Sequence, residues 1–207
     1  MEKLDLAKQL KSYFTATTTP KLVDIPEARY LSICGKGDPS EKAFSNRIEA
    51  LYATAYTIKF AYKARSKDFV VSKLEGLWWF DEKQYEGKSP VNASVEVPRS
   101  EWYYRLLIML PDFVTQEAVA DAKQTVIDKK GIGLANEAEL FIMTEGKCVQ
   151  MLHVGPFADE PESIKRIMEF SGSHKLAKNG HHHEIYLSDF RKTEEAKLKT
   201  ILREPVK

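Results

Sequence analysis

The order of apolar and polar residues predicts core-facing helices separated by short strands. From Phe44 to Tyr62, apolar residues recur at intervals of three and four, the period of a helix with one buried face. The preceding Asp-Pro-Ser-Glu sequence predicts that this helix begins near Pro39 and that Asp38 caps it. A shorter amphipathic helix is expected from Met1 to Phe14.

Two further helices have clear start and stop signals. Thr115 is placed to cap one of them, and Gly131 or Gly133 is placed to end it. The other begins in the acidic stretch Asp-Glu-Pro-Glu at 159–162 and ends at Gly172.

Strands are predicted where β-branched, aromatic and aliphatic residues run between turn residues. These runs cover residues 30–34, 69–71, 77–80, 101–110, 139–143, 147–154 and 180–189. Turns are expected at 73–76 and at Glu145-Gly146, with a loop over 84–98. From Thr193 the charged sequence predicts a C-terminal helix or tail.

The two halves of the chain echo each other. In the first half, a strand at 30–34 leads through Gly35 into a capped helix, and in the second half a strand at 149–154 leads through Gly155 into another. This pattern predicts an α+β fold with a mostly antiparallel sheet, helices on one face and a central cleft between the halves.

Length and charge limit the class of protein. A chain of 207 residues predicts a single domain over 1–207, with 1–19 as a helical extension. The formal net charge of +1 gives no electrostatic reason to expect nucleic acid or an anionic membrane as a partner. Two cysteines, a charged N-terminus and no run of 18 apolar residues favour a cytoplasmic protein without disulfides or membrane spans.

The strand at 180–189, with sequence GHHHEIYLSD, carries the strongest candidate chemistry. Alternation places Glu184 and Tyr186 on one face together with His182. A mid-strand carboxylate among aromatic and aliphatic residues is a candidate general base for water, and the Tyr186 hydroxyl is a candidate proton donor. The same carboxylate could instead attract a cationic aromatic ligand, or lie on a solvated sheet face.

Aromatic residues on two other strands are candidates for the wall of a binding pocket. We select Trp79, Trp102 and Tyr104, although clustered aromatic residues are equally typical of an ordinary core. His182 is expected to contribute to the same ligand-binding face. Consecutive strand residues at 181–183 do not all face one ion, so no metal site is expected, and no motif indicates a cofactor.

Five motifs resemble one family, the gyrase-inhibitor-like small-molecule-binding domain, which is related to drug-binding domains of bacterial multidrug-responsive regulators. They span nearly the whole chain and are found at Val23–Ser40, Leu74–Asp81, Arg105–Thr115, His153–Ile164 and His182–Arg191. The resemblance implies two strand-helix-strand-strand repeats around a central aromatic pocket, with Glu184 matching the family's pocket glutamate.

The Trp-Trp and HHEIYLSD motifs resemble the stand-alone branch of this family. Some members of that branch are similar to hydrolases that open cyclopropane-containing, DNA-alkylating toxins. One departure lies before LEGLWW, where the family usually has a proline and often an earlier tyrosine, while this chain has Lys73 and Phe69. If a tyrosine hydroxyl takes part in chemistry at this position elsewhere, Phe69 cannot supply it.

Three functions are open at this point. The first is a hydrolase that opens a strained electrophile, with Glu184 as base and a tyrosine as acid. The second is a binding protein that sequesters aromatic or cationic small molecules without turnover. The third is an interaction protein that binds a macromolecule, as the family's gyrase inhibitor does. Only turnover separates the first two.

Overall fold

The computed structural model describes residues 3–86 and 96–207, and within them six strands close into an antiparallel barrel. Neighbours around the barrel follow the order β1-β3-β2-β5-β6-β4. The strands are β1 (Lys21–Lys36), β2 (Leu74–Trp79), β3 (Tyr103–Leu110), β4 (Glu139–Val154), β5 (His182–Tyr186) and β6 (Lys199–Pro205). The predicted α+β class and antiparallel pairing are therefore confirmed, and closure of the sheet is an addition to them.

Helices pack on both sides of the barrel wall. In the described residues they are α1 (Leu6–Gln9), α2 (Lys11–Phe14), α3 (Lys42–Ala64), α4 (Gln116–Lys130) and α5 (Glu160–Ser173). Helix α3 packs on β1 and β3 and against α4, whereas α5 packs on β4 and β6. None of the helices in the described ranges is long and apolar enough to cross a membrane.

Strand alternation divides the core into an outer and an inner part. On β2, Leu74 and Trp78 belong to the apolar cluster beneath α3 and α4. Leu77 belongs to the inner cluster, which also contains Tyr13 and Phe14 from α2. The N-terminal helices therefore pack against the inside of the barrel, because successive side chains of a strand point to opposite faces.

A charged network is buried at the centre of the inner face. Arg203 is fully buried, and its guanidinium donates to the Glu145 carboxylate at 2.8 Å and to the Gln150 side chain at 3.0 Å. The ring of His183 lies between two carboxylates, with Nδ1 at 2.9 Å from Glu145 and Nε2 at 3.0 Å from Glu75. Two cations thus face two anions, which is the arrangement that makes buried charge tolerable.

The N-terminal helix α2 completes this network. Tyr13 donates its hydroxyl proton to Glu75, and its backbone carbonyl accepts from Arg203 at 2.9 Å. The Arg203 guanidinium also lies 4.3 Å from the centre of the Tyr13 ring, which is a cation–π contact. Residues before β1 are therefore tied to strands at the end of the chain.

The long helix begins later than predicted. α3 starts at Lys42 with Glu41 as its N-cap residue, and the Asp38 carboxylate instead accepts from the Ser40 backbone N–H at 2.8 Å. The prediction that Asp38 caps a helix near Pro39 is wrong, because an aspartate can satisfy its own backbone two residues on in a turn.

The signals around α4 are confirmed. The Thr115 side chain accepts from the Ala118 backbone N–H at 3.2 Å, and Gly131 ends the helix in the left-handed region with φ 67°. The N-terminal helix predicted up to Phe14 is instead two short helices that meet at Leu10.

Two predicted turns are strand. β4 continues through Glu145-Gly146, where Gly146 has φ 67°, because β1 pairs with β4 on both sides of this point. β2 already begins at Leu74, inside the turn predicted at 73–76. The strand predicted at 69–71 is also wrong, since these residues make a single isolated bridge between Phe69 and Leu4.

The C-terminal segment is the largest correction. In place of a charged helix or tail, residues 199–205 form β6, which pairs with both β4 and β5 and closes the barrel. Its charged residues misled the prediction because Arg203 is buried in the inner network. The loop predicted at 84–98 falls partly on 87–95, which lie outside the described residues.

Glu145→Gln should lower the free energy of unfolding by about 3–5 kcal/mol, since it leaves Arg203 buried without its charged partner. Chemical denaturation measures this loss. Glu27→Gln is the matched control, because Glu27 is exposed on β1, and it should stay within about 0.5 kcal/mol of wild type. An equal, small effect of both substitutions would contradict the network's role.

The pH dependence of unfolding should report the same group. Burial alone would raise the pKa of Glu145, but His183 and Arg203 outweigh it and lower the pKa to about 2. A lowered pKa stabilises the folded state above the ordinary carboxyl value, and this contribution is lost as the pH falls toward 2. Wild type should therefore lose stability more steeply than Glu145→Gln in that acidic interval, and parallel curves would contradict the assignment.

Candidate functional site

A cavity of about 840 Å³ lies on the outer side of β2, β5 and β6, between the start of α3 and helix α5. Its wall is largely aromatic and aliphatic, with contributions from Phe44, Trp78, Trp79, Phe80, Trp102, Phe157, Ile164, Ile167, Met168, Leu176, Tyr186, Phe190 and Val206. Four ionisable side chains join this wall from β5, β6 and α5: His182, Glu184, Glu204 and Glu160. The cavity has the size and apolar character of a small-molecule site.

Strand β5 supplies the polar centre of the cavity. His182, Glu184 and Tyr186 all line it, while His183 and Ile185 are fully buried on the inner face. This division follows from the period of two along a strand. The sequence-predicted face of β5 is thus the face that meets the cavity.

Gly76 makes room for the aromatic groups beside Glu184. It pairs with Glu184 across the β2–β5 ladder, and a Cβ at Gly76 would lie 2.8 Å from the Trp78 indole nitrogen. The same Cβ would lie 3.2 Å from the Tyr186 hydroxyl. A side chain at this position would therefore displace Trp78 and Tyr186 and disrupt the hydrogen bond that Trp78 Nε1 donates to the Tyr186 oxygen at 3.1 Å.

His182 lies between two carboxylates. Its Nδ1 hydrogen-bonds the Glu204 carboxylate, and its Nε2 is 3.3 Å from Glu184 Oε1, an ion-pair distance without good hydrogen-bond geometry. Burial would lower the pKa of His182, but the carboxylates of Glu204 and Glu184 outweigh it and hold the pKa well above the usual range. The two carboxylates therefore favour the protonated, cationic form of His182.

Glu160 has the opposite environment. It is 8% exposed, and its Oε1 has no hydrogen-bond partner among the described residues. Burial raises the pKa of Glu160 well above its usual value, and the Glu184 carboxylate raises it further. Both effects favour the protonated form of this carboxyl group.

Tyr186 forms part of an aromatic group at one end of the cavity. Its ring meets Phe157 and Phe190 edge-to-face, with ring centres 6.0 Å apart in both pairs. Burial and then the Glu184 carboxylate raise the pKa of Tyr186 well above its ordinary value. The hydroxyl therefore keeps its proton and is available as a hydrogen-bond donor.

Of the three aromatic residues selected from the sequence, two line the cavity and one does not. Trp79 and Trp102 both line the cavity. Trp79 lies on the opposite face of β2 from Trp78, and its ring stacks on Tyr103 and on His181. Tyr104 is not among the lining residues in the described ranges: it is 1% exposed, and its ring packs behind Trp78 at 5.5 Å.

In the described ranges, no three His, Cys, Asp or Glu side chains are arranged to hold an ion. His153 has a structural environment, since its ring nitrogens bond the Ser163 hydroxyl at 3.0 Å and the Pro156 carbonyl at 3.1 Å. Of the three consecutive histidines, His183 points into the barrel and His182 into the cavity.

Sequence reasoning missed two of the four ionisable groups. Glu160 was part of a helix start signal, and its acidic neighbours concealed that this one side chain is buried. Glu204 lay in the predicted C-terminal tail. The signal that could have found it is the run Thr200, Ile201 and Leu202, whose β-branched and aliphatic residues are typical of a strand.

The sequence matches the family model of the GyrI-like small molecule binding domain over residues 18–207. The chain belongs to this GyrI-like family. Two crystal structures from Listeria innocua extend the similarity across the chain. An uncharacterized conserved protein is 37% identical with a TM-score of 0.88, covering 99% of this chain and 100% of its own. A hydrolase is 35% identical with a TM-score of 0.85 and the same coverage.

A second hydrolase from Listeria innocua is 34% identical, with a TM-score of 0.86 and complete coverage of both chains. No protein of curated function matches the sequence. The GyrI-like chain described here is thus similar along its whole length to proteins of one fold, two of which are named hydrolases.

Trp78 should report ligand binding in this GyrI-like protein. A neutral planar aromatic compound that enters the cavity should quench tryptophan fluorescence, and Trp78→Phe should remove the largest part of the quenching because Trp78 faces the cavity beside Tyr186. Trp79→Phe is the matched control and should remove less, since Trp79 stacks on Tyr103 and His181. Full quenching in Trp78→Phe would contradict the geometry.

Proposed function

We propose that this protein binds aromatic small molecules in the cavity and hydrolyses strained, cyclopropane-containing electrophiles, with Glu184 as general base. The observation that carries the proposal is the Glu184 carboxylate, 13% exposed, in an aromatic cavity beside the His182 cation. A site that only sequestered apolar compounds would have no need of buried ionisable groups, which are costly to desolvate.

The walls support binding of a flat aromatic ligand. Trp78, Phe157 and Phe190 surround the polar centre, and aromatic pairs gain about 0.5–1.5 kcal/mol beyond the burial of their area. We interpret β1-α3-β2-β3 and β4-α5-β5-β6 as two strand-helix-strand-strand repeats with the ligand between them. The element order supports this interpretation.

The proposed reaction is the addition of water to a cyclopropane that is conjugated to a carbonyl group. Water attacks a ring carbon and gives one proton to Glu184, so that a C–O bond forms as a ring C–C bond breaks. The electron pair of that C–C bond moves to the carbonyl oxygen, which takes up one proton. A positioned base of this kind contributes about 10²–10⁴-fold to the rate.

Tyr186 is proposed to stabilise the developing negative charge. Its hydroxyl oxygen accepts from Trp78 Nε1, and its proton interacts with the Glu184 carboxylate. In the proposed reaction, this proton turns to an oxygen of the ligand. Donors aimed at the atom where charge develops lower the barrier, because they need no reorganisation during the reaction.

The named hydrolases of 34% and 35% identity support hydrolysis as the reaction class. The family model supports small-molecule binding, and neither names a substrate. The cyclopropane-containing toxin is proposed from the resemblance of the Trp-Trp and HHEIYLSD motifs. A binder of cationic drugs without turnover is the competing function, since Glu184 and Glu204 would attract a cation.

Glu184→Gln separates these two functions in one experiment. In a hydrolase, it should lower turnover of an aromatic cyclopropane-bearing electrophile by about 10²-fold or more, while the affinity for a neutral aromatic ligand changes little. In a cation binder, affinity for a cationic aromatic ligand should fall and wild type should show no turnover. Product formation by chromatography and fluorescence titration give the two readings.

Glu169→Gln serves as the control, since Glu169 is exposed on α5. It should match wild type in turnover and affinity. A Glu184→Gln protein that matches wild type in both would remove Glu184 from the mechanism, and absence of wild-type turnover would leave binding as the function.

A further inference from the structure

Glu160 lines the cavity as the first residue of α5. Its side chain is more than nine-tenths buried, and its Oε1 has no hydrogen-bond partner in the described part of the chain. A buried polar atom without a partner costs stability, and such an atom calls for a functional explanation. Because Glu160 lines the cavity, a bound ligand can be the partner of this oxygen.

The charged groups that face Glu160 come from β5 and β6. Glu184 opposes its ionisation and His182 favours it, while Glu204 holds His182 from the far side. Burial and the charges of Glu184 and Glu160 all raise the pKa of the Tyr186 hydroxyl. The other charged lining residues are exposed ones from the loops around the cavity, namely Glu82, Glu86, Arg99 and Lys178.

Two carboxyl groups in one cavity thus have opposite surroundings. Glu184 adjoins the His182 cation, whereas Glu160 is enclosed by apolar walls and faces the negative charge of Glu184. Where two carboxyl groups have such different environments, the one whose environment favours a proton serves as the acid and the other serves as the base. The start of a helix would favour a charged Glu160, but burial opposes it.

We propose that Glu160 is the catalytic acid of the reaction and gives its proton to the oxygen that receives the electron pair of the broken ring bond. This role rests on the proposed hydrolysis. Glu160 begins the cycle as a carboxylic acid and Glu184 as a carboxylate. Water addition then transfers one proton to Glu184 and takes one from Glu160, and proton exchange between the two carboxyl groups or with solvent restores the starting state.

Tyr186 is a weaker candidate for the same proton. Burial and the Glu184 carboxylate raise the pKa of its hydroxyl well above the ordinary tyrosine value, so proton loss is unfavourable. Tyr186 therefore stabilises the oxygen by a hydrogen bond, and Glu160 delivers the proton. The division explains why a cavity with one base also contains a second carboxyl group, one oxygen of which has no partner among the described residues.

The first test is independent of turnover. Infrared difference spectra should contain the carbonyl stretch of a protonated carboxylic acid at pH 7 in wild type. Glu160→Gln should lose this band, whereas Glu162→Gln should keep it, because Glu162 is exposed two residues further along α5. A wild-type spectrum without the band would overturn the proposal.

The second test is the pH profile of turnover with an aromatic cyclopropane-bearing electrophile. Wild-type turnover should fall at high pH in parallel with the infrared band, because both follow loss of the Glu160 proton. Glu160→Gln should lower turnover by about 10²-fold and remove this alkaline decline, with little change in ligand affinity. Glu162→Gln should retain the wild-type profile.

The outcomes distinguish this role from the proposed function. Normal turnover in Glu160→Gln, or an alkaline decline that does not follow the infrared band in wild type, overturns the role of Glu160 and leaves hydrolysis intact. Absence of wild-type turnover overturns hydrolysis and this role with it. Comparing the infrared band with the turnover rate in wild type needs no variant. It therefore tests the role of Glu160 even if Glu160→Gln folds poorly.

Discussion

The buried ion network around His183 is the constraint on which the site depends. His183 joins Glu75 on β2 to Glu145 on β4, and Glu145 in turn pairs with Arg203 on β6. A shift of β5 by one residue would remove His183 from these carboxylates and leave charges buried without partners, which is strongly unfavourable. The network therefore fixes the register of β5. Because side chains alternate along a strand, the same register directs His182, Glu184 and Tyr186 into the cavity.

The cavity itself combines apolar walls with a small set of ionisable side chains. Glu184 and Glu204 favour the protonated form of His182, whereas burial and the Glu184 carboxylate favour the protonated form of Glu160. In the proposed reaction, Glu184 accepts a proton and Glu160 supplies one. Apolar surroundings strengthen these interactions, because the effective dielectric constant is far below that of water. The arrangement suits the proposed addition of water, in which water loses one proton and the substrate oxygen gains one.

Local sequence signals predicted some elements of this structure. They failed for elements whose structure depends on contacts with residues distant in sequence. The period of α3, the Thr115 cap and the face of β5 follow from nearby residues. The start of α3 was missed because Asp38 satisfies a turn instead of a helix. The strand β6 and the Glu204 side chain were missed because their charges are neutralised by residues far away in sequence, including Glu145 and His182. Burial of Glu160 has the same cause, since its neighbours in sequence are exposed and only the packing of α5 on the sheet encloses it.

The central claim is that water, activated by Glu184, adds directly to the strained ring. Single turnover in H₂¹⁸O with enzyme in excess over an aromatic cyclopropane-bearing substrate tests this most directly by mass spectrometry. Direct addition predicts that the product gains one ¹⁸O and that the protein gains none. An unlabelled oxygen in the product, with ¹⁸O incorporated at Glu184, would contradict the account, because it would mean that the carboxylate itself attacks the ring and is later released by water.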